Sequence, residues 1–124
     1  MATNEGAHAE GSGTTASGAY SHAEGYSGTA SGQASHTEGF NTSASGKGAH
    51  AEGVSTQTTN EAEHASGKFN KSTSGKTRFS VGVGTSSSNR KNALEIAVDG
   101  SVYINNLGTY DGTNINTNTT QSLQ

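Results

Sequence analysis

A strict period of 14 residues constrains this chain more than any other feature of its sequence. All five histidines stand at that spacing, at His8, His22, His36, His50 and His64. A glycine follows each histidine three residues later, and a second glycine column runs through positions 18, 32 and 46 before Asn60 takes its place. Because glycine tolerates positive φ, two glycine columns predict two turns per repeat, separated by segments as long as short strands.

Such repeats predict a β-solenoid. Two short strands and two turns make one coil, and stacked coils pair in parallel about 4.8 Å apart, so that each column becomes a ladder. Two glycines and many Ser and Thr residues in each unit would defeat a helical repeat. Low-complexity disorder is the remaining alternative, but columns kept in register over about 60 residues argue against it.

The chain is poor in large apolar residues. Leu, Ile, Val and Phe together make up 14 of the 124 residues, and the net charge is only −3. A single copy with this composition buries too little apolar area to offset its chain entropy. We therefore expect it to share buried surface with neighbouring repeats and with partner chains.

Strand alternation assigns the columns to two faces. His22 and Glu24 share one face of a strand and Ala23 takes the other. A narrow interior suits alanine, so the predicted inward residues are Ala9, Ala23, Ala51, Ala16, Ala30 and Ala44, with Thr37 as one substitution. The histidines and carboxylates then form an outward structural ladder, which consists of His8, His22, His36, His50, His64, Glu10, Glu24, Glu38 and Glu52.

The unit Ser21-His22-Ala23-Glu24-Gly25, followed by Thr29-Ala30-Ser31-Gly32, resembles the YadA-like head repeat of trimeric autotransporter adhesins. The similarity covers residues 7 to about 76 and implies a left-handed parallel β-roll, three copies of which form a tight homotrimer. It also implies that the ladder lies nearest the threefold axis, where each His is expected to bond a Glu of a neighbouring chain. His and Glu stand where that family carries Val and Ile, and this variant resembles repeats of phage and prophage tail-fibre proteins.

The composition changes after Lys76. Residues 79–83 alternate with period two, and Asp99-Gly100 lies between the apolar runs 93–98 and 101–104, which predicts a β-hairpin. A further turn is expected at Tyr110-Asp111-Gly112. The predicted all-β architecture is thus a β-roll of 14-residue coils over residues 1–76, a trimer-closing hairpin module over 77–112 and an extended tail over 113–124.

The last repeat is irregular. Lys68 looks like a one-residue insertion, after which Phe69-Asn70 would match Phe40-Asn41.

Several kinds of chemistry are not expected. The chain has no Cys for disulfides or thiolate sites, no basic cluster for nucleic acid and no run apolar enough to enter a membrane. Zinc sites need three or four converging ligands, whereas histidines one coil apart are expected to share an ion only pairwise, so neither a metal nor a cofactor is predicted. Equivalent Glu rungs without a pocket make a poor catalytic site, so we predict no catalytic residue and no enzyme.

The expected function is a structural and receptor-facing segment of a trimeric tail fibre on a virion, and the chain is expected to be a fragment of a longer protein. The alternative is the head of a bacterial trimeric adhesin on the cell surface. A fibre that carries a distant catalytic domain is a third class. The expected partners are two further copies of the chain and a cell-surface receptor, either glycan or protein. Tyr20, Tyr26 and Phe40 vary between repeats. They are either exposed binding positions or contacts between chains, and contacts between chains are the expectation.

Overall fold

The computed structural model describes residues 1–105 and the backbone of 121–123, and all of the regular structure in these residues is β. Thirteen strands form a nine-stranded sheet, ordered β1-β3-β5-β7-β9-β10-β11-β12-β13, and a four-stranded sheet, ordered β2-β4-β6-β8. The strands are β1 (His8–Ala9), β2 (Thr15–Ala16), β3 (His22–Ala23), β4 (Thr29–Ala30), β5 (His36–Thr37), β6 (Ser43–Ala44), β7 (His50–Ala51), β8 (Gln57–Thr58), β9 (His64–Lys68), β10 (Thr77–Val83), β11 (Asn92–Ala97), β12 (Val102–Ile104) and β13 (Gln121–Leu123). The predicted parallel solenoid is confirmed.

Consecutive coils stack in register at the 14-residue period. In the larger sheet His8 pairs with His22, and the same pairing continues down the column to His64. In the smaller sheet Thr15 pairs with Thr29, which in turn pairs with Ser43. Each repeat therefore contributes one strand to each sheet, as the two turns per repeat predict.

The interior of the solenoid is filled by small side chains. The predicted inward alanines Ala16, Ala23, Ala30, Ala44 and Ala51 are fully buried, and Thr37 is buried in their company. Ala9, in the first coil, is half-buried and packs against this cluster. A coil of 14 residues encloses too little space for Leu or Phe, so the larger apolar side chains lie elsewhere.

Glycine at the turn after each histidine strand is required by close coil packing. Gly25 and Gly39 have φ values of +94° and +103°, and a Cβ atom on either one would lie 2.3 Å from the carbonyl oxygen of the next glycine in the column. Real Cβ atoms do not approach a backbone oxygen so closely. The glycine column is thus set both by backbone conformation and by the spacing of the coils.

The prediction that Lys68 is an insertion is wrong. A bridge between Val54 and Lys68 keeps Lys68 in the regular column, and Phe69 takes the positive-φ position that Ser55 occupies one coil earlier. The extra residue lies farther on, because Phe79 pairs with His64 across 15 residues. The likeness of Phe69 to Phe40 in sequence does not correspond to an equivalent backbone position.

The larger sheet continues past residue 76 without a break. Strand β10 pairs with β9 in parallel, and β11 then turns back antiparallel to β10. The predicted hairpin at Asp99-Gly100 is confirmed, since Leu94 pairs with Ile104 and Ile96 with Val102 on either side of it. Strand β13 adds to β12, whereas the predicted turn at 110–112 and most of the tail over 113–124 lie outside the described residues. The division of the chain into three parts stays a prediction.

Replacing Gly39 by Ala is expected to reduce the free energy of unfolding by about 3 kcal/mol or more, because the new methyl group collides with the neighbouring coil. The control is Gly48→Ala, at φ +63° with no atom within 4 Å of the added carbon, where only the left-handed conformation costs about 1–2 kcal/mol. Urea unfolding at one chain concentration measures both. Equal losses in the two variants would contradict the coil spacing described here.

Candidate functional site

The His–Glu ladder, defined as the five histidines and the glutamates at 10, 24, 38 and 52, forms one outward face of the larger sheet. Each of the last four histidines bonds the glutamate of the preceding coil. The Nε2–Oε1 distances are 3.2 Å for His22–Glu10, 3.1 Å for His36–Glu24, 3.2 Å for His50–Glu38 and 3.1 Å for His64–Glu52. A carboxylate can only accept, so the ring nitrogen donates in each pair.

Local strand geometry explains the diagonal pairing. Glu10 lies two residues after His8 and therefore on the same face, while His22 lies directly above His8 in the next coil. A glutamate side chain is long enough to reach along the solenoid axis to the histidine of the next coil. The ladder thereby ties each coil to its neighbour through side chains as well as through the backbone.

The imidazole rings also stack along the axis. Ring centroids of His22 and His36 lie 4.8 Å apart with an interplanar angle of 5°, and those of His36 and His50 lie 4.6 Å apart at 14°. These spacings follow from the rise of one coil. The last ring, that of His64, meets Phe79 at 5.4 Å, so an aromatic side chain of β10 ends the histidine column.

Hydrogen bonds from the rings favour the ionised carboxylates. The bond from His36 lowers the pKa of Glu24, and the bond from His64 lowers that of Glu52. The paired side chains are still about one-third exposed, for example 33% for both His36 and Glu24. Each pair is therefore expected to add little to stability by itself, and the repetition of the pairs fixes register more than it adds energy.

The structure brings together within one chain the residues that the sequence analysis expected to pair between chains. His8 makes a 3.8 Å contact with Glu10 of its own coil. The orientation of this face toward a threefold axis stays a prediction.

Three donor groups converge at several points of the ladder, where the sequence analysis expected only pairs. One potential ligand atom from each residue lies within 4.8 Å of the others in three sets: His8, Glu10 and His22; His22, Glu24 and His36; Glu38, His50 and Glu52. The Glu two residues after each His is the pattern that could have predicted this. Two imidazoles with one carboxylate are donors that suit a divalent transition metal.

A second outward column carries large apolar side chains. The apolar stripe, defined as Tyr26, Phe40 and Val54, follows the bridges from coil to coil, and its members are 51%, 51% and 42% exposed. The Tyr26 and Phe40 rings stack with centroids 5.0 Å apart. Because the apolar stripe is this exposed, it is a candidate contact surface.

A groove of about 570 Å³ lies beside the hairpin. Its lining consists of Gly75, Lys76, Glu95, Ala97, Val98, Asp99 and Tyr103. The Glu95 carboxylate accepts hydrogen bonds from the side chains of Thr77 and Asn92. A hydrogen bond from the Ser101 backbone lowers the pKa of Asp99. These contacts support the hairpin.

One buried acid, Glu63, was not predicted from the sequence. Glu63 is 1% exposed, and its Oε2 accepts hydrogen bonds from the backbone of Thr59, from Asn60 and from Ser72. Burial raises the pKa of Glu63 above its ordinary value. Asn60 stands in this coil at the position where the earlier coils have the second glycine. Asn60 and Glu63 both depart from the repeat, and the hydrogen bonds between them stabilise both.

No family model, curated protein or solved structure matches the chain. None of the described residues forms a helix of the length and apolarity needed to cross a membrane. The solenoid and its outward columns are therefore the features that bear on function.

Replacing Glu52 by Gln keeps an acceptor for His64 but removes the negative charge. Because the folded-state pKa of Glu52 is lowered, its contribution is present above the ordinary pKa of 4.5 and is lost as the pH falls below it. We expect a loss below about 1 kcal/mol at neutral pH, shrinking toward zero in acid. Urea unfolding across this pH range measures it, with Glu61→Gln, outside the ladder, as the control. A difference that persists undiminished at pH values well below the ordinary glutamate pKa would contradict the pairing.

Proposed function

We propose that this chain is a structural and receptor-facing segment of a trimeric phage or prophage tail fibre, and that it is not an enzyme. The observation that carries the proposal is the in-register stacking of equivalent coils from His8 to His64. Such stacking makes a rod whose outward columns repeat the same chemistry along its length. The partner is a receptor on a cell surface, either glycan or protein, and the location is the virion.

The distribution of apolar side chains supports a trimer. The inward columns of the described coils are mostly Ala and Thr, whereas Tyr26, Phe40 and Val54 stay about half-exposed in a single chain. Burying this stripe against a second copy would recover apolar area that one chain leaves in water. Three copies would also present each receptor contact three times, so that weak contacts gain through avidity.

The equivalence of the ladder rungs supports a non-enzymatic role. A catalytic pair needs two carboxyl groups in different environments, one that stays protonated and one that is ionised. In the ladder the glutamates instead repeat the same histidine bond at 3.1–3.2 Å. Repetition of one environment suits a scaffold that keeps its shape along an axis.

A bacterial surface adhesin is the second candidate. The repeat unit from Ser21 to Gly25 resembles the head repeat of trimeric autotransporter adhesins, and its coils stack as that resemblance implies. The same rod would then carry contacts to host matrix or cells, and its location would be the bacterial surface. His and Glu in place of Val and Ile favour the fibre.

The chain is expected to elute as a homotrimer, with a light-scattering mass three times the 12.5 kDa of one chain. Replacing Tyr26 and Phe40 together by Ser is expected to shift the protein toward monomer at micromolar concentration, because the stripe no longer provides apolar contact. Ser12→Ala, in the same column, is the matched control. A folded wild-type monomer would contradict the proposal.

Attachment is tested with fluorescently labelled trimer on a panel of bacterial strains and on matrix-coated surfaces. A fibre segment is expected to bind a subset of the bacteria, and an adhesin head is expected to bind the matrix.

The expected orientation of the His–Glu ladder toward the threefold axis has its own test. Replacing Glu24 and Glu38 by Gln should weaken the trimer more than replacing Ser27. Equal trimer assembly of these variants would mean that the threefold axis lies against another face of the solenoid.

A further inference from the structure

The first rung of the His–Glu ladder differs from all the later ones. His8 and His22 meet edge to face, with an interplanar angle of 65°, whereas the rings of His22 and His36 are parallel within 5°. His8 Nε2 lies 3.8 Å from Glu10 of its own coil. Among the described residues it does not make the 3.1–3.2 Å bond that each later histidine makes.

The donors of this rung have the spacing of a metal polyhedron. His22 Nε2 lies 3.2 Å from one Glu10 oxygen, and His8 Nε2 lies 3.8 Å from the other. Ligands placed about 2.0–2.1 Å from a tetrahedral Zn²⁺ are about 3.4 Å from one another. The two observed separations lie on either side of that value, and all three ligand atoms lie within 4.8 Å of one another, so side-chain rotation would bring the three donors to one ion.

We propose that His8, Glu10 and His22 form a Zn²⁺ site. The Nε2 atoms of both histidines and the Glu10 carboxylate would hold the ion, and water would complete a fourth position, as in sites with three protein ligands. On binding, the Nε2 proton that His22 donates to Glu10 is exchanged through water for a proton on Nδ1, so that the Nε2 lone pair replaces its hydrogen bond to Glu10 with a bond to the metal. Two imidazoles and one carboxylate favour Zn²⁺ over Mg²⁺ or Ca²⁺, which prefer oxygen ligands.

Ring orientation singles out this rung among the three donor sets. In the set of His22, Glu24 and His36 the rings are parallel, so their lone pairs point along the same direction and not toward a common point. That set also shares His22 with the first, so the two cannot be filled together. The third set contains a single histidine, His50, and binds more weakly. One tight Zn²⁺ per chain is the consequence.

In a single chain the site is accessible, and all of its ligands belong to that chain. The side chains of His8, Glu10 and His22 are 63%, 53% and 37% exposed. The ion would link β1 to β3 and clamp the first two coils of the larger sheet. Because all three ligands come from the same chain, the site does not depend on the proposed trimer.

The test is isothermal titration of the full chain with ZnCl₂ at neutral pH, with the light-scattering mass measured in parallel so that assembly and metal binding are judged separately. We expect one Zn²⁺ per chain, undiminished by excess Mg²⁺. His8→Gln should weaken binding at least about tenfold, which corresponds to 1.4 kcal/mol. Circular dichroism confirms that the variant is folded, as expected for so exposed a residue.

The matched controls are His36→Gln and His64→Gln, in the same column but outside the site, and both should keep the wild-type affinity. Nitrogen NMR of the imidazole rings should show zinc-induced shifts at His8 and His22 and not at His64. Failure of the wild-type chain to bind Zn²⁺ would overturn the proposal. So would a loss in either control as large as that of His8→Gln, since binding would then be spread over the ladder.

Discussion

Backbone hydrogen bonds between consecutive coils are the interaction on which the rest of this structure depends. The N–H groups of His8, Glu10 and Ser12 donate to carbonyls 13 residues farther along the chain, at 2.9–3.0 Å, and the same pattern repeats in the next coils. These bonds run along the solenoid axis, so one coil satisfies the polar backbone of the next. They permit a chain with few large apolar residues to keep a fixed shape, because unpaired buried backbone groups would be costly.

The close coil spacing then decides which side chains each column can carry. Inside, it leaves room for Ala and Thr; at the turn after each histidine strand, it leaves room only for hydrogen at Gly25 and Gly39. Outside, it stacks like residues at the separation of one rise, which brings imidazoles into ring contact and glutamates within reach of the next histidine. The His–Glu ladder and the apolar stripe are consequences of the same repeat.

Much of this architecture could be predicted from the sequence because the period is explicit. Columns of His and Gly give the coil length, alternation gives the inward alanines, and Asp99-Gly100 gives the hairpin. The sequence did not reveal that Phe69 adopts φ +45°, because contacts distant in sequence surround it: Arg90 lies over its ring at 5.7 Å and bonds the carbonyl of Ser55. The intrachain His–Glu bonds and buried Glu63 were missed because they depend on how far side chains reach between coils.

The in-register stack of coils is tested most directly by a distance along one column. Ser12 and Lys68 end a column of four successive bridges, so spin labels at these positions should lie about 19 Å apart at about 4.8 Å per coil. Pulsed electron spin resonance on doubly labelled chains, diluted with unlabelled chains so that only intrachain distances contribute, measures this separation. A narrow distribution near that distance is predicted. A broad distribution near 40 Å, roughly the value for a flexible segment of this length, would contradict the account.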